Sequence, residues 1–152
     1  MNAITQLVAD HEEVERMFKE AETAARAKKR ELFFDIKAAL ETHAWIEETI
    51  FYPTLQSEGE KQLIELTAEA IQEHISMKCF LGELAAVSSK AARFEPLLTK
   101  LIEDVRHHVK EEEGEMFPAV KKLFSDEALE TLGAQMENEK IRYEASMETI
   151  YG

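Results

Sequence analysis

His43-Ala44-Trp45-Ile46-Glu47-Glu48-Thr49-Ile50-Phe51-Tyr52-Pro53 is matched further on by His108-Val109-Lys110-Glu111-Glu112-Glu113-Gly114-Glu115-Met116-Phe117-Pro118. In both stretches a Glu follows His at i+4 and a second Glu at i+5, then large apolar residues and a Pro at i+10. The upstream residues agree as well. Ile36 and Leu40 precede His43 at the spacing at which Leu101 and Val105 precede His108. At about 100° per residue on a helix, this spacing puts two apolar side chains, the imidazole and the first carboxylate on one inward face. The prolines are expected to stop each helix. A lone His-x-x-x-Glu is ordinarily a surface pair worth a few tenths of a kcal/mol. Two copies on apolar stripes mean something else, because Glu is almost never fully buried unless it is paired. Two such faces in opposition make a nest of nitrogen and oxygen donors, which is the outline of a metal site.

The rest of the chain supplies partners for these faces. Residues 2 to about 27 read as a first helix, N-capped by Asn2, with Ile4, Leu7, Val8, His11, Val14 and Phe18 on its stripe. Lys28-Lys29-Arg30 is expected to close it against the helix dipole. A second helix spans about 31 to 50, and Ser57-Glu58-Gly59 forms the loop after it. The third, about 60 to 88, carries Leu63, Thr67, Ala70, Ile71, His74, Met77, Lys78 and Leu81 inward. Lysine on such a face either snorkels outward or pairs with a carboxylate, and the nearest acids expected are the two inward glutamates. Cys79 reads as a small packed thiol and Met77 as core filler. Pro96 suits the first turn of a fourth helix that runs to about 113. There the phase places His108 and Glu112 inward, and His107 with Lys100, Asp104 and Glu111 in water. Ser125-Asp126-Glu127 caps a fifth helix with an interrupted stripe of Leu129, Leu132, Met136, Tyr143, Met147 and Ile150. That helix is a candidate either for packing on the outside or for homodimerisation. The fold class is all-α, in one domain over 1–152, with the bundle at about 2–120 and the extra helix at about 125–150.

Composition narrows the partners. A net charge of -13 repels phosphate backbones and anionic lipid, which argues against nucleic acid and membrane surfaces. No apolar run reaches membrane-spanning length, and Met1-Asn2-Ala3-Ile4-Thr5 does not look like a signal peptide. With one cysteine there is no internal disulfide, and a cytoplasmic setting is expected.

The inward donors are His11, His43, Glu47, His74, His108 and Glu112, from four different helices. Six exceed what a structural zinc needs, and imidazoles argue against calcium and magnesium. Mixed imidazole and carboxylate donors suit iron, manganese or zinc, and six are enough for two metals if both carboxylates bridge. No Glu stands three residues before any His, so the Glu-x-x-His of ferritin-like oxidases is missing.

With these residues in place, the chain resembles the hemerythrin-like HHE cation-binding family over about residues 4 to 120. His11 within Asp10-His11-Glu12-Glu13-Val14 matches the first-helix ligand, and His43 and Glu47 match the second helix's His-x-x-x-Glu. His74 and His108 match the ligands of helices three and four, with Glu112 in the second bridging position. Lys78 stands where oxygen carriers have a further His. The resemblance implies an up-down four-helix bundle holding two non-haem irons, oxo- or hydroxo-bridged, with manganese or zinc as substitutes. His11 and His43 would hold one iron, His74 and His108 the other. The implied function is to bind or sense dioxygen, another small diatomic ligand, or iron itself. The alternatives are a di-iron redox enzyme (a peroxidase or nitric oxide scavenger) and a metal-free helical interaction protein.

Overall fold

The computed structural model describes residues 1–151, apart from the side chain of Tyr151. Its helices are α1 (Ala3–Thr23), α2 (Arg26–Ile46), α3 (Tyr52–Ser57), α4 (Lys61–Ala86), α5 (Phe94–Glu111), α6 (Phe117–Leu123) and α7 (Asp126–Tyr151). A π-helical turn at Glu47–Phe51 joins α2 to α3, and another at Glu112–Met116 joins α5 to α6. The result is an all-α bundle. Four rods surround the core (α1, α2 with α3, α4, and α5 with α6), and α7 packs outside against α1, α2 and the first π-turn.

Asn2 caps α1 by accepting from the Thr5 N–H at 2.8 Å, and Ser125 caps α7 by accepting from Ala128 at 3.1 Å. Gly59, at φ +73°, turns the chain from α3 into α4 through the left-handed region that favours glycine. Gly133 serves closeness instead. A Cβ there would lie 2.2 Å from the Met1 carbonyl oxygen, so only glycine lets α7 meet the start of α1.

Four expectations from the sequence are corrected. Helix α1 ends at Thr23, and Lys28-Lys29-Arg30 lies in the first turns of α2, because Ala24 and Ala25 are both extended and make the break. The basic cluster still satisfies helix C-termini, though across space. Lys29 Nζ donates to the Glu22 carbonyl at 3.3 Å, and Arg30 donates to the carbonyls of Val87 and Ala85 at the end of α4. Pro53 and Pro118 do not stop their rods. Each falls in the first turn of α3 or α6, where a missing N–H is tolerated, and the preceding π-turn accommodates the join. Cys79 is exposed rather than packed. Lys78 leaves the inner stripe, its side chain 49% exposed, since the buried line of α4 runs through Ala70, His74, Leu81 and Leu84.

Two apolar cores result. One contains Leu7, Phe51, Leu55, Leu63, Phe117 and, from α7, Leu129, Leu132 and Met136. The other contains Val14, Phe18, Phe33, Ile36, Leu81 and Leu101. Between them lies a layer of buried polar side chains.

Candidate metal centre

That layer comprises His11, His43, Glu47, His74, His108 and Glu112, all buried and drawn from four rods. Helix phase brings them together, and both carboxylates sit at the first residue of a π-turn. The i→i−5 bonds of these turns run from Tyr52 N–H to the Glu47 carbonyl and from Phe117 N–H to the Glu112 carbonyl. Such bulges widen a helix locally and recur at functional sites. Here each one separates the carboxylate from the proline beyond it.

The Nε2 atoms of the imidazoles converge on the carboxylates. His11 Nε2 lies 3.2 Å from Glu112 Oε1 and His43 Nε2 lies 3.2 Å from Glu47 Oε1. His74 Nε2 lies 3.1 Å from Glu47 Oε1, and His108 Nε2 lies 3.3 Å from Glu112 Oε2. Despite this closeness, His11 Nε2, His43 Nε2, His108 Nε2, both Glu47 oxygens and Glu112 Oε1 make no hydrogen bond among the described residues. Burying so many unsatisfied polar atoms is costly. Ligand atoms bonded to one metal at 2.0–2.2 Å and roughly right angles lie about 3 Å apart, which is the spacing seen. The donors fall into two groups, His11 with His43, Glu47 and Glu112, and Glu47 with His74 and His108. Glu47 belongs to both. Nitrogen and oxygen donors so placed could hold metal.

Each imidazole is fixed from behind by a carboxylate on Nδ1. Asp10 holds His43 at 2.9 Å, Glu48 holds His74 at 2.8 Å, Glu73 holds His108 at 2.7 Å and Glu113 holds His11 at 2.7 Å. An Nδ1–H donated to a carboxylate leaves Nε2 as the free lone pair and makes it more basic. Sequence reading missed these four acids, although the signal was present. In each half an acid directly precedes the first His (Asp10-His11, Glu73-His74), and a second Glu directly follows the inward one. Tyr52 was missed too. Its buried hydroxyl donates to Glu112 Oε2 and approaches His74 Nε2 at 3.4 Å. The equivalent residue in the second motif is Phe117, which stacks on His11 at 6.0 Å.

The charges of the metal-free site follow from these contacts. Burial pushes His43 and His108 down, but the pull of Glu47 and Glu112 with the hydrogen-bonded acids wins, raising them to about 10 and about 12. His74 is raised likewise, against burial, by the Glu47 carboxylate at 3.1 Å and its hydrogen bond to Glu48. Glu47 is held well below its ordinary value: burial opposes this, and the His43 charge with the close approach of the His108, His43 and His74 rings outweighs it. Burial and the neighbouring glutamates push the Tyr52 phenol well up, so it stays protonated. His107 is at the surface, 66% exposed and paired with Glu111 at 2.5 Å. Lys78 pairs at 2.6 Å with Glu48, not with the inward glutamates, because it lies at the edge of the bundle.

Comparison with known proteins agrees with this geometry. The hemerythrin HHE cation binding domain matches residues 2–120. A solved structure of a hemerythrin HHE cation binding domain-containing protein from Mycobacterium kansasii superposes with a TM-score of 0.83 at 25% identity, covering 96% of this chain and 89% of that one. A protein of Nostoc sp. (strain PCC 7120) named DNA nickase is 31% identical over 134 residues, 86% of this chain. The match spans only 36% of that longer protein. Among the described residues no helix is long and apolar enough to cross a membrane. By its match over most of its length, the chain belongs to the hemerythrin HHE cation-binding domain family.

Proposed function

We propose that the chain holds two metal ions, iron in the cell, and uses them to bind or sense dioxygen, another small diatomic molecule, or iron itself. The observation that supports this most is the set of buried Nε2 and carboxylate atoms that face one another with no hydrogen-bond partner. His11 and His43 would hold one ion, His74 and His108 the other, with Glu47 and Glu112 shared. A pair of irons, when bound, would supply reversible one-electron changes and affinity for a small ligand. The chain's own part is to exclude water with two apolar cores, to orient four imidazoles through Asp10, Glu48, Glu73 and Glu113, and to hold a proton at the Tyr52 oxygen. That buried hydroxyl beside Glu112 favours a second reading, a redox enzyme that needs a proton delivered at the site. The nicking activity named for the Nostoc protein is not proposed for this chain, whose net charge of -13 opposes phosphate contacts.

The test is metal content and its loss on substitution. Protein purified without chelator should carry about two metal ions per chain, with a visible charge-transfer band in the oxidised form. His108→Ala should lose at least one ion, and His107→Ala should keep both. A saturated protein with a single ion per chain would refute the paired arrangement.

A further inference from the structure

A cavity of about 230 Å³ adjoins the centre on the side of the second core. Its inner end is the four imidazoles, while Glu47 and Glu112 do not line it, so the space lies beyond the carboxylates rather than among them. The apolar part of its wall comes in pairs from the two halves of the chain, Val14 with Met77, Leu40 with Val105, and Ala44 with Val109, while Asp10, Glu73 and Asp104 also line it, engaged by His43, His108 and Lys100. The exposed Ser76 and His107 lie at its outer edge, between α4 and α5. The other side of the centre is covered by α7, whose Lys140 reaches Asp10 at 3.8 Å. The cavity is therefore approached from the α4–α5 side.

A diatomic molecule does not need this much room. A water takes up about 30 Å³ of liquid, and an apolar cavity of about 150 Å³ holds benzene. Its apolar part offers aliphatic surface and a thioether, and its acids are already engaged, so selection there is by shape and burial more than by hydrogen bonding. At the inner end, by contrast, the Nε2 atoms of His11, His43 and His108 face the site with no partner. We infer that this cavity, lined by α1, α2, α4 and α5, binds a small organic molecule of phenol size, its apolar body against Val14, Leu40, Met77 and Val105 and a single oxygen head turned toward the metal centre. This rests on the reading that the imidazoles hold metal, toward which the oxygen head is turned.

The experiment is calorimetric titration of the metal-loaded protein with 4-fluorophenol and with benzene, metal content being measured on the same samples. 4-Fluorophenol should bind saturably at one per chain, at least tenfold tighter than benzene. Val105→Phe, which fills the cavity, should weaken it tenfold or more with the metal retained. Should that variant fold poorly or lose metal, Met77→Phe, partly buried at the wall, replaces it. Absence of saturable 4-fluorophenol binding to metal-loaded protein overturns the proposal, as does undiminished affinity in a filled variant. Benzene binding as tightly as 4-fluorophenol overturns the oxygen-head assignment. A chain that binds 4-fluorophenol yet carries no metal after loading refutes the metal reading instead and leaves the cavity standing.

Discussion

The first helix pair and the second are two versions of one scheme. In each, an acid–His pair on the leading helix faces a His-x-x-x-Glu-Glu on the trailing one, and the trailing helix passes through a π-turn into a proline. The acid before the first His supports the other His of its own half, as Asp10 supports His43 and Glu73 supports His108. The last Glu crosses over, Glu48 to His74 and Glu113 to His11. The ring pairs match closely, His11–His43 at 5.0 Å and His74–His108 at 4.9 Å. What differs lies around this scheme. Tyr52 corresponds to Phe117, α7 packs against α1 and α2, and Lys78 stands where the first half has Glu15. Positions that carry donor chemistry repeat, and positions that govern polarity and access do not.

The largest expected effect comes from removing what both halves share. In the metal-free site the raised His43 and His108 add stability that is fully present below about pH 6.5, the ordinary histidine value, and is lost as pH rises towards about 10 and about 12. The depressed Glu47 adds stability above its ordinary 4.5 that is lost only as pH falls through its lowered value. Metal needs neutral imidazole, so its affinity rises with pH over the window in which the metal-free protein weakens. At a 100-fold excess over its dissociation constant a metal adds about 2.7 kcal/mol. For a domain of this size that corresponds to a melting-temperature change of roughly 5–10 °C. Chelation should therefore lower the melting temperature by about that much at pH 8.5 and by less at pH 6. A gap that shrinks with rising pH would contradict the linkage.

The next test removes the difference between the halves inside the site. Tyr52→Phe makes the first motif match the second, leaving Glu112 without its phenol donor. Loss of a hydrogen bond to a buried charged group costs about 1–3 kcal/mol. Denaturant unfolding of the metal-free variant should show a loss in this range, with the slope unchanged. The metal-loaded variant should lose less, because the metal then satisfies the carboxylate. An equal loss in both forms would mean that the hydroxyl serves packing and not the centre.

Helix phase made the inward set legible because each inward residue sits on a largely apolar stripe. Ile36, Leu40, His43 and Glu47 share a face whatever the tertiary structure does. The separation of His107 from His108 was readable for the same reason. The supporting acids were not, since a carboxylate that reaches across to another helix lies off the stripe and looks like any solvated Glu. Tyr52 and the fate of the prolines depended on the π-turns, which shift the phase by one residue and leave no distinct mark in composition. Lys28-Lys29-Arg30 misled because it opens α2 and still reaches helix C-termini, Lys29 back to Glu22 of α1 and Arg30 across to Val87 at the end of α4.

The smallest expected effect concerns Lys78, which sharpens the contrast between Glu48 and Glu113. Glu48 is shared between His74 Nδ1 at 2.8 Å and Lys78 Nζ at 2.6 Å, and these bonds help to hold its carboxyl below its ordinary value. Glu113 pairs with His11 and, among the described residues, with no lysine or arginine. At the position corresponding to Lys78, Glu15 instead engages Arg106, which also binds Glu22 and ties α5 to α1. With its side chain 49% exposed, Lys78 forms a screened pair worth about 0–1 kcal/mol. Lys78→Gln should therefore change stability by about half a kcal/mol or less. Its effect on the centre should be more specific. Freed from the ammonium, Glu48 becomes the better acceptor for His74 Nδ1–H and makes Nε2 a stronger donor, as Glu113 already does for His11. The visible charge-transfer band of the oxidised iron form should then shift, while Lys100→Gln, which breaks an equally exposed pair with Asp104, leaves it in place. Identical spectra for Lys78→Gln and Lys100→Gln would reduce Lys78 to an ordinary surface charge and restore the equivalence of the two supporting glutamates.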